Sequence, residues 1–122
     1  MEFFKKKFLF WGLLIFALIL LSLTVVSAAD YTVAGNSYDD IQDSVNGSTD
    51  NDRILLGTST YTSSGNAIEI DGKNITIQGQ SNSNRAKLDG RGLYRTIVVR
   101  NDASLTLRYI DFVNGTSISY HA

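Results

Sequence analysis

Asn74-Ile75-Thr76-Ile77 returns thirty residues later as Ser104-Leu105-Thr106-Leu107, and Ile68-Glu69-Ile70 returns twenty-nine residues later as Ile97-Val98-Val99. No other feature restricts the possible folds of this chain so strongly. A unit of ~20–50 residues built from short strands that recur in the same order marks a chain that stacks turn upon turn. Leu88 and Ile110 follow the two x-[IL]-T-[IL] segments and are read as a third matching pair. Stacking like strands puts inward aliphatic side chains in columns, while Asn and Gly bend the chain at the corners. An antiparallel sandwich also uses short strands and polar turns, but it does not require strand types to recur in a fixed order. The expected fold is therefore all-β, a parallel β-helix of about two to three coils.

The remaining segments fit that frame. Arg53–Leu56, Ala67–Ile70, Asn74–Gln78, Ala86–Leu88, Thr96–Val99, Ser104–Leu107 and Tyr109–Val113 carry apolar residues at alternate positions, and most are separated by Gly, Asn, Asp or Ser. Asp30–Val33 reads as a short extended segment. Ser37-Tyr38-Asp39-Asp40 offers a capping hydroxyl and first-turn acids, and Ile41 and Val45 share one helical face. A short amphipathic helix is expected from Tyr38 to Val45, ended by Asn46-Gly47 and placed as a lid on the strands that follow.

Residues 1–29 have a different character. Lys5-Lys6-Lys7 precedes an apolar run from Phe8 to Val26, and Ser27-Ala28-Ala29 follows. A basic head, an apolar middle and small residues at the end are the parts of an export signal, with cleavage near Ala28 and Ala29. The run of about 19 residues exceeds the usual ~7–15 of such a signal and approaches the ~20 that span a bilayer, so an uncleaved N-terminal membrane anchor is the alternative. Both readings export residues 30–122, to a secreted or cell-surface location.

Composition narrows the exported part. Without the leader, eight basic and eleven acidic residues remain, with no basic stripe, which argues against nucleic acid as a partner. Cysteine is absent, so stability must come from backbone pairing and stacking rather than disulfides. Proline is absent too, as suits a chain in which most backbone N–H groups are needed for pairing.

Several stretches carry a family resemblance. Tyr38-Asp39-Asp40-Ile41-Gln42-Asp43-Ser44-Val45 resembles the capping helix that opens many right-handed parallel β-helix domains. Asp52-Arg53-Ile54-Leu55-Leu56-Gly57 with Thr60-Tyr61-Thr62 resembles the segment that follows that helix. Lys73-Asn74-Ile75-Thr76-Ile77-Gln78-Gly79 with Leu88-Asp89-Gly90 resembles one coil, and Ser104-Leu105-Thr106-Leu107 with Phe112-Val113-Asn114-Gly115 resembles the next. Together they are similar to the N-terminal part of the adhesin-like surface proteins of methanogenic archaea, within the pectin-lyase-like superfamily. The resemblance covers nearly all of residues 30–122 and implies a right-handed coil. It departs from the pattern at Asn51-Asp52-Arg53 and at Ser59, both turn positions. Family members have many more coils. By that standard the chain is expected to be a truncated or fragmentary product, or to associate through the open edge of its last coil around Ile110, Phe112 and Ile118.

Chemistry-bearing residues are sparse. Polysaccharide hydrolysis needs a pair of carboxylates and elimination needs a base beside acids that hold calcium. Asp71, Asp89, Asp102 and Asp111 are available with Arg91, Arg95, Arg100 and Arg108, but most of these acids adjoin Gly or Asn, where aspartate caps turns. The hydrolase motifs of the superfamily are missing as sets, and the single histidine is His121. No catalytic, cofactor or metal site is assigned; Asp50-Asn51-Asp52 reads as a solvated turn rather than a calcium loop.

Recognition is the remaining possibility. Arg91, Tyr94, Arg95, Arg108 and Tyr109 place planar groups on what is expected to be one side of adjacent coils, suited to sugar or protein surfaces. Asn46, Asn74 and Asn114 head sequons, with Asn46 the best glycan acceptor and Asn74 the poorest. The resemblance implies a non-enzymatic adhesin-like module that contacts cell-surface glycans or proteins. The competing expectations are a remnant of a polysaccharide lyase or hydrolase, and a structural envelope protein without a specific ligand.

Overall fold

The computed structural model describes residues 27–93, 95–115 and 117–121. The basic head and apolar run of the leader, Tyr94 and Thr116 lie outside the described residues.

Ten strands and one helix account for most of the described chain. β1 (Asp30–Thr32) leads into α1 (Tyr38–Gly47), followed by β2 (Arg53–Leu55), β3 (Thr60–Thr62) and β4 (Ile68–Asp71). Then come β5 (Asn74–Gln78), β6 (Ala86–Asp89), β7 (Ile97–Arg100), β8 (Ser104–Arg108), β9 (Ile110–Val113) and β10 (Ile118–His121). They form three sheets, ordered β1-β2-β5-β8, β3-β6-β9 and β10-β7-β4. From β2 onward the chain visits the three sheets in the same cyclic order three times. Every strand pairing among the described residues is parallel, which excludes the antiparallel sandwich.

The repeat seen in the sequence is the register of the sheets. Asn74 pairs with Ser104 and Ile77 with Leu107, and Ile68 pairs with Ile97. Inward positions line up as columns: Tyr31, Ile54, Ile77 and Leu107 in the first sheet, Tyr61, Leu88 and Phe112 in the second, and Ile68, Ile97 and Ile118 in the third. One assignment shifts: Leu88 pairs with Phe112, and it is Ala86 that pairs with Ile110. The core runs down the middle of the three sheets, from Tyr38, Ile41 and Val45 under the helix to Val99 and Ile110. Burying such aliphatics contributes roughly 1.5–3 kcal/mol each.

Helix α1 closes one end. Ser37 is its N-cap: Asp40 N donates to Ser37 Oγ (3.2 Å), and Ser37 N and Oγ donate to Asp40 Oδ2 (3.1 and 2.8 Å), a complete capping box. The helix continues through Asn46-Gly47, past the expected stop at Val45, and ends on Ser48, whose Oγ donates to Val45 O at 2.6 Å. It has no basic residue in its last turn. Lys73 supplies the missing charge from the next turn of chain, with Nζ donating to Val45 O (2.9 Å) and Ser48 O (2.8 Å). The bland apolar face of the helix (Tyr38, Ile41, Val45) is wholly buried.

At the opposite end the described residues place no further strand or helix over the core. β8, β9 and β10 are each the last strand of their sheet, and Leu105, Leu107 and Ile118 are only partly buried. Phe112 and Tyr120 occupy inward register positions yet remain 38% and 66% exposed. No helix among the described residues is long and apolar enough to cross a membrane.

Candidate functional site

Outward-facing residues alternate with the core columns and are tied together from turn to turn. Arg53 forks onto Asp30 through Nε and Nη2, both at 2.8 Å. Arg100 reaches Glu69 at 3.0 Å, and Arg85 pairs with Asp111 at 2.9 Å. Asn101 Nδ2 donates to Asp71 Oδ1, and Asp89 Oδ1 accepts from Arg91 N (2.9 Å) and Asn114 Nδ2 (3.3 Å). Each contact joins residues of neighbouring turns or the ends of one turn. Exposed pairs of this kind contribute little individually, about 0–1 kcal/mol. Their chemical meaning is that Asp71, Asp89 and Asp111 are occupied in bracing the fold.

The sequence-selected planar groups fall at two corners. Arg108 ends β8 and Tyr109 makes the turn into β9 with φ of 58°. The Arg108 guanidinium lies 5.2 Å from the Tyr109 ring centroid, and its Nη2 donates to Tyr109 Oη at 3.2 Å. Arg91 and Arg95 follow β6 at the far end of the same sheet. Arg91 has φ of 50° in the turn, and Arg95 Nη1 lies 3.3 Å from His121 Nε2. The structure therefore unites Arg108 with Tyr109 and Arg95 with His121, and sets the two groups at opposite ends of β3-β6-β9 rather than in one patch. Tyr94 lies outside the described residues.

Beside Arg91 an open depression of about 620 Å³ is floored by Asp89, Gly92, Asn114 and Gly115. A second, of about 460 Å³, lies between α1 and β4, with Asp39, Gln42, Asn46, Asn66 and Glu69 on its walls. Both are open; the second is lined mainly by polar groups, the first more by apolar surface.

The sequons differ in their surroundings. Asn46 is exposed, with Oδ1 accepting from Gln42 Nε2 at 3.0 Å, and its Nδ2 is the atom a glycan would take. Asn114 uses Nδ2 on Asp89. Asn74 is an exposed outward residue of β5, opposite Ser104. The turn at Asp50-Asn51-Asp52 is built around backbone donors: Asp50 Oδ1 accepts from Asn74 N, and Asp52 accepts from Ala29 N, Thr49 N and Thr49 Oγ1. These donors hold the Asp52 carboxyl below its ordinary range, the Ala29 bond contributing most. Among the described residues there is no cluster of three or more metal-ligating side chains.

Two side chains outside the sequence selection shape this surface. Gln42 bonds the outer edge of β4, and Lys73 caps α1; each entered the sequence reading only as part of a stretch with family resemblance. Tyr38 is 1% exposed, and its hydroxyl has no hydrogen-bond partner among the described residues. Burial, and secondarily the charge of Asp89, pushes that hydroxyl up to about 12. No family model, curated protein or solved structure matches the chain.

Proposed function

We propose that residues 30–122 form the opening coils of a right-handed parallel β-helix, exported from the cell, that acts as a non-enzymatic adhesin-like surface module for glycans or proteins. The observation that carries this reading is the cyclic visit to three parallel sheets, with core residues in columns and short polar or planar groups outside. Arg108 stacked on Tyr109 gives a planar pair, Arg108 exposed and Tyr109 half-buried, able to lie against a sugar face while donating hydrogen bonds. The leader supports export, and the resemblance to archaeal adhesin-like proteins supplies the adhesive role. Occupation of Asp71, Asp89 and Asp111 by bracing contacts disfavours the lyase or hydrolase alternative.

The test is binding of the exported protein to a glycan array and to intact cells, with polyuronate depolymerisation assayed in parallel. Saturable binding weakened severalfold by Arg108→Ala or Tyr109→Ala supports the proposal. Depolymerisation establishes the enzyme reading instead, and tight envelope association without saturable binding establishes the structural one. Sedimentation of the same material tests self-association through the bare edges of β8, β9 and β10.

A further inference from the structure

We propose that the leader is removed between Ala28 and Ala29, and that the α-ammonium group created on Ala29 forms an ion pair with Asp52. This rests on the reading of residues 1–29 as an export signal and goes beyond it by choosing the bond. Two junctions are candidates for a signal endopeptidase: after Ala29, with Ser27 and Ala29 as the small pair, and after Ala28, with Val26 at the corresponding upstream position. The fold distinguishes the two products.

Ala29 belongs to the folded unit through both of its backbone groups. Its nitrogen donates to Asp52 Oδ1 at 2.8 Å, and its carbonyl accepts from Arg53 N at 2.9 Å, the first bond of the β1–β2 ladder that begins at the Asp30–Arg53 pair. Asp52 is 2% exposed, and its other oxygen is held by Thr49 N at 2.8 Å. Hydrolysis after Ala29 would strip the partner from one oxygen of a buried carboxylate and from the Arg53 N–H together. A buried acceptor such as the Asp52 carboxylate is costly to leave unmade. Hydrolysis after Ala28 keeps both bonds and strengthens one of them. Water adds across the Ala28–Ala29 peptide bond: its oxygen completes the Ala28 carboxylate, and its two hydrogens convert the Ala29 amide N–H into an ammonium. A neutral donor facing Asp52 becomes a charged one, and charge-assisted bonds are roughly twice as strong as neutral ones. Ser27, Ala28 and Ala29 are all exposed, and only the first two lie on the side of the cut that is discarded.

The experiment expresses the full chain in an exporting host and identifies the first residue of the exported product by peptide mass spectrometry. Ala29 is the expected first residue. Asp30 in first place overturns the chosen bond while leaving the export reading intact; retention of Met1 overturns both. The Ala29 α-amine of that product is then titrated by NMR through its methyl resonance. Its pKa is expected above the ordinary ~7.7–8.0 in the folded protein and back in that range in Asp52→Asn. If that variant does not fold, urea-unfolded wild-type product provides the same reference. An α-amine that titrates identically folded and unfolded overturns the ion pair.

Discussion

The side-chain amide of Gln42 pairs with the backbone of Glu69 as a neighbouring strand would: Glu69 N donates to Gln42 Oε1 at 2.7 Å, and Gln42 Nε2 donates to Glu69 O at 3.0 Å. β4 is the first strand of its sheet, so these groups face outward with no strand beyond them. The helix thereby covers the apolar core with Ile41 and the open edge with the next residue. Gln42→Ala is expected to cost about 1–2 kcal/mol, the range for two partly exposed hydrogen bonds. Amide exchange at Glu69 should accelerate more than at Ile70, and urea unfolding gives the total.

Lys73 is the other half of the lid's attachment. Replacing it with methionine keeps most of the stem's packing but frees Val45 O and Ser48 O at the negative end of α1. A loss of about 2 kcal/mol is expected, since bonds from charged donors exceed neutral ones. Equal urea midpoints for wild type and Lys73→Met would contradict this.

Tyr38 gives an effect of opposite sign. Its hydroxyl is buried with no partner among the described residues, so Tyr38→Phe removes a desolvated group and is expected to raise stability by about 1 kcal/mol at neutral pH. The wild type should also lose stability as pH rises from 10.0 towards about 12, because the unfolded phenol ionises first. The variant lacks that alkaline loss, which a pair of urea titrations at pH 8 and about 11 reads directly.

On the acid side the sensitive group is Asp52. Its folded pKa lies below the ordinary aspartate value of 3.8, so its contribution is present above that value and disappears as pH falls through the folded pKa. Asp52→Asn should be less stable than wild type at pH 6, and the gap should narrow steadily below pH ~4. A gap of constant size would mean the carboxylate's charge is irrelevant and only its shape matters.

Gly79 tests the tightness of a corner. A Cβ there would run into the carbonyl of Tyr109 and the nitrogen of Ala86, both backbone groups that cannot swing aside. Gly79→Ala should cost about 1–3 kcal/mol, the usual penalty for overpacking. Gly47→Ala, where a Cβ meets nothing, is the control within the same protein.

What could be read from the chain follows from where the regularity lies. β5 and β8 were legible because Ile75, Ile77, Leu105 and Leu107 repeat at one spacing and pair in register. β3 was not recognised as a strand because Thr60-Tyr61-Thr62 offers a single apolar residue, although Tyr61 is fully buried over Leu88. Leu88 was matched to Ile110 instead of Phe112 because the corners differ in length. Residues 79–85 separate β5 from β6, whereas Tyr109 alone separates β8 from β9. The same irregular corners decide the surface. Adjacent Arg108 and Tyr109 were bound to be near each other, but placing Arg91 and Arg95 at the opposite end of that sheet required the three-dimensional path. Gln42, Lys73 and Asp52 act through partners more than twenty residues away, a distance over which local pattern carries no information.

The parallel ladders also set how this fold responds to force. Interstrand bonds run along the stacking direction, so traction between its two ends loads three sheets simultaneously, whereas traction on the chain upstream of β1 loads one. β1 contributes three residues and meets only β2 within its sheet, reinforced by the Asp30–Arg53 fork. In a chain that keeps its leader, a pull through residues 1–28 reaches the β1–β2 bonds before it strains the rest of the stack. Removal of the leader takes away that handle, and with it the one route by which force enters through a single short strand.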